Sequence, residues 1–325
     1  MIKRLAIFLL FGIILNSCST ESKKILILAH GLDTKHSVHK AMVHMAEQLK
    51  ELSDGQMNIR IYPSQQLGTE RQCLELLQIG SVNITKVSAA VMEGFAPAYK
   101  VLSIPYIFQN REHAYTVQDG PVGQQILESG QKFWLRGLCF YDSGSRSFYT
   151  KDRPILKPED LEGMKIRVMS SPTSIEMIKQ MGGAATPISW GELYTALQGG
   201  VVDGAENNPP SFYLSHHYEV CKYYTINEHT SIPDVMLVST HTWNKLSKQE
   251  KEWLTIAVNR SKEYQRKLWR KSEEESLQAV KDAGIEVYYP EKEPFMEKVK
   301  PLKEKYKKDP ELKVIIEAID KIAKN

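Results

Sequence analysis

Residues 164–205 read MKIRVMSSPTSIEMIKQMGGAATPISWGELYTALQGGVVDGA, and the class of fold follows from this stretch. Met164 to Val168 reads as a strand, with Ile166 and Val168 on one face and Arg167 on the other. Ser174 to Met181 reads as a helix closed by Gly182-Gly183. Ser189-Trp190-Gly191-Glu192 has the S-x-x-E form of a capping box and predicts a helix reaching Gln198. Gly199-Gly200 ends it, and a strand from Val201 to Ala205 follows.

The same alternation runs toward the N-terminus. Ile25 to Ala29 is a short apolar strand. Val38, Met42, Met45, Leu49 and Leu52 fall on one helical face, and Gly55 stops that helix. Met57, Ile59 and Ile61 alternate with polar neighbours as a strand does. A helix from Glu70 to Ile79 and a strand from Val82 to Ser88 come next, and the pattern restarts after Gly144. Such alternation with short turns predicts mostly parallel sheets, and 325 residues are enough for two α/β lobes. Toward the C-terminus a second box, Ser247 to Glu250, opens a helical stretch reaching about Lys281. Its length of about 50 Å exceeds one small domain, so it is expected to brace both lobes.

Composition narrows the partners. The formal charge is +3. Lys3 and Arg4 precede Cys18, and without those two charges the remainder carries +1, too small an imbalance for a nucleic-acid partner. Lys3, Arg4 and the apolar run Leu5 to Leu15 read as a signal peptide over residues 1–17, because eleven apolar residues cannot span a bilayer. The run ends in Leu15-Asn16-Ser17-Cys18, which resembles a bacterial lipobox. Cys18 is therefore expected to be acylated, with residues 18–24 as a tether and the lipid as the membrane attachment. Cys73, Cys139 and Cys221 are odd in number and widely spaced, which predicts buried apolar side chains rather than a disulfide framework or zinc site.

P-loop, GxGxxG, GxSxG and HExxH motifs are absent, so neither cofactor nor catalytic chemistry is indicated. His36, His39 and His44 lack a carboxylate or Cys that would complete a metal site at helical spacing, and no metal is expected. Two arginines carry the chemistry instead. Arg167 ends a strand, where open sheets collect ligands, and a guanidinium there grips a carboxylate through two parallel hydrogen bonds. Arg146 stands where the second lobe begins and faces a cleft if that junction is one. For either arginine the alternative is a surface ion pair.

Several segments occur together in order: Pro63 to Arg71 (PSQQLGTER), Leu102 to Phe108 (LSIPYIF), Gly163 to Val168 (GMKIRV), Gly191 to Gln198 (GELYTALQ), Val202 to Asn207 (VDGAEN) and Tyr218 to Tyr223 (YEVCKY). Together they resemble the solute receptors of TRAP (tripartite ATP-independent periplasmic) transporters over nearly the whole mature chain. The resemblance implies an α/β, two-lobed periplasmic binding protein fold with a hinge and a long helix crossing both lobes. Lobe I would comprise 25–145 plus 234–272, and lobe II 146–233 plus 273–325. It implies organic-acid ligands, hand-over to TRAP membrane permease subunits, and no enzymatic activity. Arg167 matches the family's carboxylate anchor, Arg146 a second arginine near it, Asn207 a common ligand contact, and Glu70 an acceptor for ligand hydroxyls. Trp190 takes the place of a cleft aromatic. Ser88 stands where sialic-acid receptors carry Glu, which counts against sialic acid. His36 and His39 lie in the loop entering the first helix, open between cleft contacts and plain surface histidines. Gly144 to Tyr149 (GSRSFY) and Glu206 to Tyr213 (ENNPPSFY) look most like the hexuronate-binding branch. Remaining readings are a receptor for another organic acid (a C4-dicarboxylate, sialic acid or an aldonate), a receptor reporting to a sensor, or a periplasmic sugar-acid enzyme using Glu70 and Glu206 as a carboxylate pair.

Overall fold

Two sheets form, one in each lobe, in a computed structural model that describes residues 23–323. The expected signal peptide, Cys18 and the tether as far as Ser22 lie outside the described residues. The first sheet runs in the order β2 (Met57–Tyr62), β1 (Lys24–Ala29), β3 (Ile84–Ser88), β10 (Asp234–Ser239), β4 (Leu135–Tyr141). The second runs β11 (Glu286–Tyr288), β9 (Tyr223–Thr230), β5 (Arg146–Thr150), β8 (Gly204–Asn207), β6 (Lys165–Val168), β7 (Ala184–Pro187).

Strand alternation places the cores. Val235 and Leu237 of β10 enter one apolar cluster while Met236 and Val238 enter another on the opposite face. In the second lobe Phe148 and Tyr149 divide the same way, and Ile166 and Val168 join Phe148. Each sheet is thus covered by helices on both faces, which explains the continuously buried strands β3, β5 and β10.

Both sheets are mostly parallel, as expected, but each holds one reversed strand. β10 runs antiparallel to β3 and β4, and β5 antiparallel to β8 and β9. The cause lies in the crossings between lobes. The chain passes from β4 to β5 through residues 142–145 and from β9 to β10 through residues 231–233. Connections this short carry no crossover helix, so a strand arriving from the other lobe slots in against its neighbours' direction. Gly144, in the first crossing, has φ +58°, and a Cβ there would collide with the Glu273 carboxylate.

The predicted long helix spans Lys248–Asp282, 35 residues and about 52 Å, opened by the Ser247/Glu250 capping box. Its Leu254, Val258 and Trp269 pack in the first lobe and its Val280 in the second. The chain crosses once more after the helix Glu293–Tyr306, whose Phe295, Val299 and Leu302 pack on the second lobe. The last helix, Pro310–Ile322, buries Leu312, Ile315, Ile316 and Ile319 in the first-lobe core. Residues 310–322 thus pack with lobe I, where the sequence suggested lobe II, because their apolar face meets the cluster around Val101, Val117 and Ile126.

Local readings shift by a few residues. The helix expected from Ser174 spans Pro172–Gln180 with Ser171 as its cap, and the strand expected at 201–205 is β8 at Gly204–Asn207. Ser189 and Glu192 do not form a capping box. Ser189 Oγ donates to the Glu192 carboxylate, and residues 190–192 tighten into a 3₁₀ turn before the helix Leu193–Gln198. The turn is tight because the chain leaving β7 holds Ile188 O on Arg167 Nε and sets the Trp190 indole by that guanidinium. Cys73, Cys139 and Cys221 are buried and form no disulfide among the described residues.

Candidate functional site

A cavity of about 180 Å³ lies between the lobes, at the C-terminal ends of β1, β3, β6 and β8. The first lobe contributes Gly31, His36, Gln65, Glu70, Lys86, Ser88 and Asp234, and the second Arg146, Arg167, Ser170, Trp190, Asn207, Asn208 and Ser211. Trp269 closes one side from the long helix.

Arg167 follows from the β6 pattern, since Ile166 and Val168 face the core and the residue between them points the other way. It is 2% exposed. Nε donates to Ile188 O at 2.9 Å, Nη1 has no partner among the described residues, and the guanidinium carbon lies 5.9 Å from the Trp190 ring centre. Burial, and secondarily the positive charge of Arg146, pull its pKa below the usual guanidinium range. A buried cation without an anion lacks a partner that a solute carboxylate can provide.

Arg146, also buried, is already engaged. Its Nε and Nη2 hold the Glu206 carboxylate in a two-bond fork, with Nη2 at 2.8 Å, and Nη1 donates to Asn207 Oδ1 at 2.8 Å. Burial opposes the charge on Glu206, but Arg146 outweighs it and holds the carboxyl down at about 2. Asn207 Oδ1 also accepts from Asn208 N at 3.0 Å, which turns the donor side of the amide toward the cavity.

The first-lobe wall is built at helix and strand ends. Thr69 and Gln72 form a capping box that opens the helix Glu70–Gln78, so Glu70 occupies its first turn, where the helix dipole favours an anion. Both Glu70 oxygens accept from Ser88 N at 3.2 Å, and Lys86 Nζ bridges Glu70 at 3.1 Å and Asp234 at 3.3 Å. Lys86 is 3% exposed; burial disfavours its charge, but the two carboxylates dominate and raise its pKa. Asp234 is pushed up to about 6 by burial, with Glu70 reinforcing the rise and Lys86 opposing it.

His36 caps the helix Ser37–Leu52. Its Nδ1 accepts from Val38 N at 3.2 Å, so the neutral ring carries its proton on Nε2, which has no partner among the described residues. Burial and Lys86 lower its pKa to about 3, which keeps the ring neutral.

The description "Bacterial extracellular solute-binding protein, family 7" matches residues 28–309. The chain belongs to that family. Among solved structures, this receptor is 37% identical to a TRAP periplasmic solute-binding protein of Xanthobacter autotrophicus, solved with bound β-D-galacturonate; the match covers 90% of this chain and 98% of that one, with a TM-score of 0.88. It is 34% identical to one from Anaerococcus prevotii, solved with D-glucuronate, over 93% and 99% of the two chains, with a TM-score of 0.91. A solute-binding protein of Chromohalobacter salexigens is 33% identical over 279 residues, 85% of this chain and 83% of the relative.

The receptor therefore has the two-lobed TRAP fold. Its cavity gathers Arg167, Arg146, Asn207, Glu70, Trp190, Ser88 and His36. His39 is not among the lining residues. One turn into the helix, its Nδ1 meets His30 Nε2 at 2.9 Å, and the fixed rise of the helix carries it off the cavity. Lys86, Asp234, Gln65, Asn208, Ser211 and Trp269 were not expected. Lys86 sits in a buried strand, where a charge nearly always has a partner, and that was the available signal. Among the described residues, no group of three or more His, Cys, Asp or Glu side chains is arranged to hold a metal ion.

Proposed function

We propose that the receptor captures a hexuronate, a glucuronate- or galacturonate-like sugar acid, and presents it to TRAP permease subunits. The observation that carries this reading is the buried Arg167 guanidinium, its Nη1 unpartnered among the described residues, across from a first-lobe wall of acceptors, neutral donors and one ammonium already held by two carboxylates. A uronate brings one carboxylate for the arginine and several hydroxyls for Glu70, Asn207 and His36. The Trp190 and Trp269 indoles offer apolar surface to a sugar ring. The uronates bound by the Xanthobacter and Anaerococcus receptors support the same class. Arg146, spent on Glu206 and Asn207, supports the site mainly by orienting Asn207.

Capture proceeds by closure of the lobes about residues 142–145 and 231–233, with solute contacts from both walls favouring the closed state. Titration calorimetry tests the reading directly. Glucuronate or galacturonate should bind, and neutral glucose should not, because it leaves the guanidinium buried without an anion. Equal binding of glucose overturns it.

Anchoring belongs to the same proposal. Cys18 is cleaved at its N-terminal side and acylated, tethering the receptor outside the cytoplasm, on the strength of the lipobox-like Leu15 to Cys18. Cys18→Ala should release the protein from the membrane fraction; a variant as membrane-bound as wild type removes the anchor.

A further inference from the structure

We propose that the first-lobe wall, where Lys86 is shared between Glu70 and Asp234, excludes a second carboxylate, so that the receptor takes polyhydroxy monocarboxylates and rejects the corresponding aldarates. The inference deepens the sugar-acid reading and rests on it. The charges on the two walls carry the argument. In the second lobe Arg146 is neutralised by Glu206, leaving Arg167 as the one cation without an anion among the described cavity residues of that lobe. In the first lobe two carboxylates share a single ammonium at 3.1 and 3.3 Å. Arg71 also lines the cavity, but it is exposed and its charge is paired with Glu75 on its own helix. A monoanion thus neutralises Arg167 and meets a first-lobe wall carrying one excess negative charge, suited to hydroxyl donors. A dianion gains nothing more from Arg167 and brings like charges together in a desolvated cavity.

The exclusion depends on pH through Asp234. The groups facing it are Lys86 on β3, Glu70 at the start of its helix and Arg146 on β5; its β4 register partner Tyr141 is bonded to Ser261 on the long helix instead. With Asp234 titrating near 6, the wall is negative above that pH and neutral below it. Rejection should therefore be strong at pH 8 and relax at pH 5, where free aldarates, like other carboxylic acids, stay mostly ionised.

The test is calorimetry of one hexuronate and its matching aldarate between pH 5 and 8. The uronate should bind at least about a hundredfold more tightly at pH 8, and the ratio should shrink about tenfold by pH 5. Comparing ratios across pH cancels the difference between ring and open chain. In Asp234→Asn the ratio should be small and flat with pH. The wild-type series decides the matter even if that variant does not fold. Aldarate binding as tight as uronate at pH 8, or a ratio independent of pH in the wild type, overturns the inference while leaving the uronate reading intact. Failure of the uronate itself to bind is a different result and sinks the proposed function first.

Discussion

Arg167 and Arg146 show how one side-chain type takes two roles. Both are buried at strand ends, yet Arg146 faces a carboxylate of its own sheet and Arg167 does not. Arg167→Ala should weaken hexuronate binding by roughly 30-fold to several-thousand-fold, the loss expected when one partner of a desolvated pair is removed. Arg167→Lys should bind poorly too, since an ammonium cannot make the planar fork. Calorimetry on both variants checks this, and near-wild-type affinity in Arg167→Ala would place the carboxylate elsewhere. Glu206 should matter for stability. Its folded pKa of about 2 lies below the ordinary 4.5, so its contribution is complete above pH 4.5 and is lost as the pH falls through about 2. The gap corresponds to roughly 3 kcal/mol. Denaturant unfolding from pH 6 down to 3 should show stability falling more steeply in the wild type than in Glu206→Gln. The variant should already be weaker at pH 6, because it leaves Arg146 buried without an anion.

Elements were legible where their periodicity is local. The helix Ser37–Leu52 and the long helix each declare an apolar face, and the second also its capping box. The Ser189–Glu192 signature misled because the same four residues must hold Trp190 and Ile188 against Arg167, a demand no helix-start pattern contains. The last helix misled differently. Its apolar stripe predicts a buried face but not which lobe receives it. Ile316, fully buried there, gives a clean separation of packing from function. Ile316→Ala should cost about 2–5 kcal/mol of stability by leaving a cavity, with hexuronate affinity unchanged in the folded protein. Denaturant unfolding and calorimetry measure the two quantities; a large affinity loss would tie this helix to the site.

Across the cleft the lobes already touch. Glu93 of the first lobe accepts from Ser171 Oγ and Thr173 Oγ1 of the second, each at 2.7 Å, and is 3% exposed. At the mouth a Cβ on Gly191 would run into Gln65 Oε1. These contacts exist only with the lobes together, so closure has protein partners of its own beside the solute. The radius of gyration from small-angle scattering should fall when a uronate saturates the receptor. Glu93→Ala should be more open without solute and bind more weakly, because part of the solute's binding energy must then close the lobes. No change in radius at saturation would mean a rigid, preformed pocket.

Fold class, the bracing helix and the position of Arg167 lie in the sequence, because strand and helix periodicity, caps and the face opposite a buried pair are properties of neighbouring residues. The antiparallel entry of β5 and β10, the packing of residues 310–322 and the partner of Arg146 do not, because each depends on where distant chain segments meet. Lys86 illustrates the boundary. The sequence places a lysine in a buried strand, but its two carboxylates arrive from a helix start at 70 and a strand at 234, and only the assembled lobe sets them within 3.1 and 3.3 Å of one ammonium.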